Sequence, residues 1–169
     1  MRWRNSFLLA VALPALAQPF PAGTSDPFAP IRFLVGQWTG EGEGAPGEGA
    51  GAFSLLPELQ GRILVRRSRS DYPAVGGRPA THHEDLMTVF QEGSALKALY
   101  LDNEGHVIRY SVVSGKEGEA VMTSDPGPGP RFRLTYRMTE SGRIGIRFEV
   151  AAPGKDFTTY LEGRARRKP

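Results

Sequence analysis

The chain has 169 residues, with 21 basic and 18 acidic side chains and no cysteine. The missing cysteine excludes both a disulfide and a lipoprotein anchor, so the fold rests on its core alone, and the small positive excess excludes a nucleic-acid footprint. With 21 glycines and 14 prolines the chain is turn-rich, as an all-β protein requires.

Met1 to Ala17, MRWRNSFLLAVALPALA, has the layout of a secretory signal. Arg2 and Arg4 supply the positive start, Phe7 to Leu16 the apolar stretch, and Ala15-Leu16-Ala17 the small-residue cleavage site. The apolar stretch is too short to span a bilayer and no later run is apolar enough, so the mature chain has no transmembrane segment. Cleavage after Ala17 gives a secreted or periplasmic chain beginning at Gln18, with 19 basic and 18 acidic residues once Arg2 and Arg4 are gone. Residues 18–27 form a Pro-rich linker. Ser25-Asp26-Pro27 can cap a short lead-in helix that runs through Leu34.

The single remaining domain, 28–167, reads as about ten short strands, near 37–43, 48–56, 61–72, 79–90, 94–102, 105–114, 118–124, 130–139, 143–151 and 156–167. Short alternating segments with regular turns imply a closed, antiparallel all-β meander barrel. Trp38 closes its floor, where a large indole can bury its area and still find a backbone carbonyl for its N–H. The glycines around it allow close approach of neighbouring chains.

The stretch FLVGQWTGEGEG, around Trp38, resembles the opening Gly-x-Trp-x-Gly-x-Gly of the calycin superfamily, which includes lipocalins and fatty-acid-binding proteins. It is most similar to nitrobindin-like and uncharacterised lipocalin-like bacterial families. The resemblance implies a ten-stranded barrel that holds a small molecule. It also raises haem, because nitrobindins ligate iron through a histidine close to the C-terminus. The last histidine here is His106 and the final strand has none, so no haem is expected. The Arg-x-Tyr carboxylate motif of fatty-acid-binding proteins is also missing from the last strand, where parity places Tyr160 and Arg164 outside.

Alternate side chains of a strand point to opposite faces. Phe132, Leu134, Tyr136 and Met138 therefore face in, as do Ile144, Ile146, Phe148 and Val150, while Arg131, Arg133, Arg137, Arg143, Arg147 and Glu149 face solvent. The turn Asp102-Asn103-Glu104-Gly105 sets Tyr100 opposite Ile108 and Ala98 opposite Tyr110. The loop Gln91 to Ser94 sets Val89 opposite Leu96, Asp85 opposite Tyr100 and His83 opposite Asp102, and the loop after Tyr72 sets Val65 opposite Met87, Arg67 opposite Asp85 and Arg69 opposite His83.

In that register the inner face turns polar towards the mouth, with Arg67, Asp85 and Tyr100 in one row and Arg69, His83, Asp102 and His106 in the next. The expected ligand-binding residues are Trp38, Arg67, Arg69, Asp85, Tyr100, Tyr110 and Tyr136, with an arginine fork suited to a carboxylate or phosphate head. Alternatively, Arg67 and Asp85 form only a cross-strand ion pair. His83, Asp102 and His106 form the alternative metal set, two imidazoles and a carboxylate. The loop Asp125 to Pro130 lacks the Lys-Ser/Thr of a phosphate cradle, and no serine has a nucleophile-elbow context. The resulting expectation is a non-enzymatic exported barrel for a hydrophobic or amphipathic small molecule, with no cofactor. The rivals are a metal-assisted enzyme at the mouth and a packed barrel with no ligand.

Overall fold

The computed structural model describes residues 26–41, 50–140 and 142–169. The signal reading and residues 18–25 of the linker lie outside them. A 3-10 helix, Ala29–Leu34, leads into ten strands: β1 (Gly36–Glu41), β2 (Ala50–Glu58), β3 (Ile63–Tyr72), β4 (Thr81–Glu92), β5 (Ala95–Asp102), β6 (Val107–Ser114), β7 (Glu119–Ser124), β8 (Arg131–Glu140), β9 (Arg143–Ala151) and β10 (Thr158–Arg167). Each strand pairs antiparallel with the next, and β1 pairs with β10 to close the barrel. The lead-in is one tight helical piece instead of an α-helix. Asp26 holds it, accepting the Phe28 N–H at 3.0 Å and the Arg32 Nε–H at 2.9 Å.

Trp38 closes the floor as expected. It is 1% exposed, and its indole N–H donates to the Leu34 carbonyl at 2.8 Å. Arg167, its partner on β10, stacks over the indole at 4.5 Å and donates to the carbonyls of Val35 and Phe33 at 2.5 and 2.7 Å. These bonds tie the end of the last strand to the exit of the helix. Gly36 explains the glycine of Gly-x-Trp: its φ is +140°, and a Cβ there would lie 2.3 Å from Arg167 Nη1.

On the floor side the interior is packed solid. Phe28, Ile31 and Leu34 of the lead-in meet Trp38, Leu64, Met87, Val89, Tyr110, Ala120, Met122, Tyr136 and Ile144, all at most 2% exposed. The loops β3–β4, β5–β6, β7–β8 and β9–β10 gather at the opposite end, the mouth. The β5–β6 register is as read, with Tyr100 opposite Ile108 and Ala98 opposite Tyr110, while on β8 and β9 two residues differ: Met138, beside a bulge, is 43% exposed, and Glu149, expected in solvent, is buried at 7% against Arg133.

Two registers differ. The β4–β5 connection is a two-residue turn, Gly93-Ser94, with Gly93 at φ +61°, so Val89 faces Ala98 and not Leu96, and Asp85 faces Asp102 and not Tyr100. A slip of two keeps every side chain on its face. The β3–β4 error is odd and reverses a strand. Met87 faces Arg66, not Val65, so Leu64, Arg66, Ser68 and Ser70 point inward and Val65, Arg67 and Arg69 point outward. The β3–β4 loop contains its own Val75–Arg78 bridge, with positive-φ Gly76 and Gly77, and that inner turn misdirects a register counted from Tyr72.

Candidate functional site

The interior arginine is Arg66, not Arg67. Arg66 Nη1 donates to Asp85 Oδ1 at 2.5 Å, with the two side chains 14% and 5% exposed. Its guanidinium lies 5.1 Å above the Phe53 ring, which stacks on Trp38 below and tilts against Tyr136 at 6.1 Å. Burial opposes the charge on Arg66, but the Asp85 carboxylate beside it more than compensates and its pKa is raised. Arg66 Nε and the Tyr136 hydroxyl are both buried without a hydrogen-bond partner. A buried polar group left this way costs about 1–3 kcal/mol.

Arg67 and Arg69 stand on the outer face. Arg69 donates there to Asp71 at 2.8 Å and to Glu84 at 2.5 Å, and all three are about half exposed. Neither arginine belongs to a mouth collar. The expected Arg67–Asp85 row is therefore replaced by Arg66–Asp85, and the Arg69–His83 row by Ser70 opposite His83.

The remaining collar residues do come together. Tyr100 Oη donates to Asp102 Oδ2 at 3.1 Å and lies 3.0 Å from His83 Nε2. His83 Nδ1 lies 3.1 Å from Glu104 Oε1, and His106 Nδ1 lies 2.9 Å from Asp102 Oδ2. Asp102 Oδ1 also accepts the backbone N–H groups of Glu104 and His106. Burial works against the Asp102 charge, yet these donors hold its carboxyl below the usual carboxylate range. Burial pushes the phenols of Tyr100, Tyr110 and Tyr136 upward.

This network engages both ring nitrogens of His83 and the Nδ1 of His106. Among the described residues no group of three or more His, Cys, Asp or Glu side chains is placed to hold a metal ion. His83, Asp102 and His106 are linked through Tyr100 and do not converge on one point.

Beside Arg66 lies a cavity of about 190 Å³. It is bounded by Phe53 and Arg66 below, Ser68, Ser70 and Tyr72 on β3, and Ile146 and Leu161 across the barrel. Gly163 makes the room, whereas Gly40 and Gly51 serve close packing, a Cβ on Gly51 lying 2.7 Å from Ser70 Oγ. Gly40 pairs with Ala165 on β10 and packs against Gly51, so closely that a Cβ on it would come 3.1 Å from the Gly51 carbonyl. Gly163, opposite Ile146, has nothing within 4 Å of where its Cβ would be. A larger concavity, about 830 Å³, lies against the outward side chains of Leu56, Arg67, Arg69 and Leu86, so it is relief on the outer wall.

Of the other expected site residues, Trp38, Tyr110 and Tyr136 lie in the packed floor, at most 2% exposed. Tyr160 is 76% exposed, as parity places it, yet it keeps one contact with the interior. A bulge between Thr159 and Leu161 turns its ring edge-on to the inward Phe148, itself stacked on Phe132 at 5.9 Å. The mouth thus has a polar wall on β3–β6 and an aromatic wall on β8–β10.

Sequence reasoning missed Arg66, Ser68, Ser70 and Gly163. The β3 sequence held one usable signal: small neutral Ser68 and Ser70 alternate with charged Arg69 and Asp71, and charges belong on the solvent face. No protein-family model matches the chain, and no curated protein matches it. Among the described residues no helix is long and apolar enough to cross a membrane.

Proposed function

We propose that this chain is a small-molecule-binding barrel of the calycin, lipocalin-like type, exported after loss of its N-terminal signal, and that its ligand is compact. The observation that supports this reading is the cavity beside Arg66, where Gly163 faces open space in an otherwise packed interior. Gly163, opposite the inward Ile146, faces open space and leaves apolar surface unburied, a cost with no return unless something else fills the space. At about 190 Å³ the cavity is smaller than the ~300–1,000 Å³ typical of drug-sized ligand sites. A long apolar tail has no room below it, because Trp38, Phe53 and Tyr136 fill the floor. The amphipathic ligand expected from sequence is therefore narrowed to a short one, with its apolar part on Ile146 and Leu161 and its polar part towards Arg66 and the serines.

Native mass spectrometry of protein purified from its own host tests the reading. One compact molecule per chain is expected, on a polypeptide that begins at Gln18. A bare chain that also ignores a library of small amphiphiles would count against it.

A further inference from the structure

We infer that the cavity selects an uncharged ligand bearing a carbonyl-type acceptor oxygen, directed at Arg66. This rests on the binding reading above and specifies the ligand's chemistry.

Arg66 is the buried cation of the cavity wall, and its charge is already matched. Asp85 holds it at 2.5 Å and is itself 5% exposed. The pair is close to neutral as a unit. A carboxylate ligand would place a second anion beside Asp85 in a site that water screens poorly, and like charges at that range repel. An uncharged acceptor meets no such opposition. The donors it needs are present: Arg66 Nε–H has no acceptor in the protein, and Ser68 and Ser70 carry hydroxyls on the same wall. The guanidinium lies 5.1 Å above the Phe53 ring, a flat face along which it can shift. Nε is closed off in the unliganded chain, so binding requires the guanidinium to slide across the Phe53 face while keeping its bond to Asp85. Phe53, Ile146, Leu161, Gly163 and Ala165 supply apolar lining that suits a short hydrocarbon or aromatic body, and Glu41, Tyr72, Glu162 and Arg164 complete the wall.

Asp85 therefore acts as a specificity residue. It removes the anion preference that a lone buried arginine would confer. This reverses the expectation of an anionic head group and leaves the carbonyl as the group that the site rewards.

Three probes of nearly equal shape test the assignment on the full mature chain: 2-acetylnaphthalene, 2-naphthoate and naphthalene, titrated by calorimetry or probe fluorescence. The wild type is expected to bind 2-acetylnaphthalene at least tenfold tighter than either of the others. Asp85→Asn should raise naphthoate affinity at least tenfold and make it the preferred probe. Arg66→Leu with Asp85→Leu removes both charges together, so the fold is not left with a lone buried ion, and should bind 2-acetylnaphthalene and naphthalene equally and naphthoate no better. Wild-type preference for naphthoate, or equal binding of naphthalene, overturns the inference and leaves the binding reading standing. Binding of no probe by the wild type overturns both. If Asp85→Asn does not fold, as judged by circular dichroism, the wild-type ranking and the double variant still decide.

Discussion

Asp85 and Asp102 stand directly opposite each other on β4 and β5, both inside the barrel and both nearly buried, at 5% and 3% side-chain exposure. Like charges directly across a strand pair are destabilising. Here each carboxylate has its own compensation: Arg66 for Asp85, and Tyr100, His106 and two backbone N–H groups for Asp102. This arrangement makes the polar half of the barrel sensitive to loss of any one partner.

The first consequence is acid lability. The folded-state pKa of Asp102 is lowered, so the ionised form favours folding. Its contribution is complete above the unfolded carboxylate pKa of about 3.9 and is lost as pH falls through the lower folded value. Urea midpoints measured from pH 7 down to pH 3 should hold and then drop below about pH 4. Asp102→Asn should flatten that drop. An unchanged drop in the variant would assign it to other carboxylates.

The second prediction separates two adjacent arginines. Arg66→Ala leaves Asp85 buried without its cation, which costs about 3–5 kcal/mol. Arg67→Ala acts on the outer wall and should change stability by no more than about 0.5 kcal/mol. Equal effects in denaturant unfolding would contradict the β3 register.

That contrast also marks where the sequence stops being legible. β8 and β9 alternate cleanly between apolar residues and arginine, so their faces could be read by parity. β3 begins Ile63-Leu64-Val65-Arg66-Arg67, which is apolar in both parities and then basic in both, so pattern alone cannot choose a face. The choice fell to a loop with a turn inside it, and one residue of error moved the wrong arginine into the barrel. The barrel itself, the Trp38 floor and the Tyr100–Asp102–His106 corner depended on local turns and survived. The cavity did not announce itself, because its lining joins β1, β2 and β3 to β9 and β10 from the far end of the chain.

The floor provides a third test. Trp38→Ala should cost about 3–5 kcal/mol, as large aromatic deletions in cores do. Gly36→Ala should be damaging despite its size, because it combines φ +140° with a Cβ 2.3 Å from Arg167 Nη1. Backbone strain of that kind is worth about 1–3 kcal/mol. A Gly36→Ala variant as stable as wild type would show that Arg167 does not need that space.

Alkaline behaviour gives a fourth. Three of the five tyrosines, Tyr100, Tyr110 and Tyr136, are held neutral above the ordinary phenol range, chiefly by burial. Unfolded phenols ionise near pH 10. Because the folded values are raised, stability is full below about pH 10 and falls as pH rises beyond it. Tyrosinate absorbance should then appear in two stages, with the second coinciding with loss of circular dichroism. A single reversible stage in the intact barrel would contradict the burial of these rings.

The most direct test of the binding reading is Gly163→Leu. The new side chain enters open space at a position with no positive φ, so the barrel should keep its fold and gain stability as the cavity fills. Native mass spectrometry of wild type and variant, purified side by side from the same host, is the measurement. The account predicts one compact ligand per chain on the wild type and none on Gly163→Leu, with a melting temperature for the unliganded variant no lower than that of the stripped wild type. A ligand retained equally by both proteins, or found on neither, would contradict it.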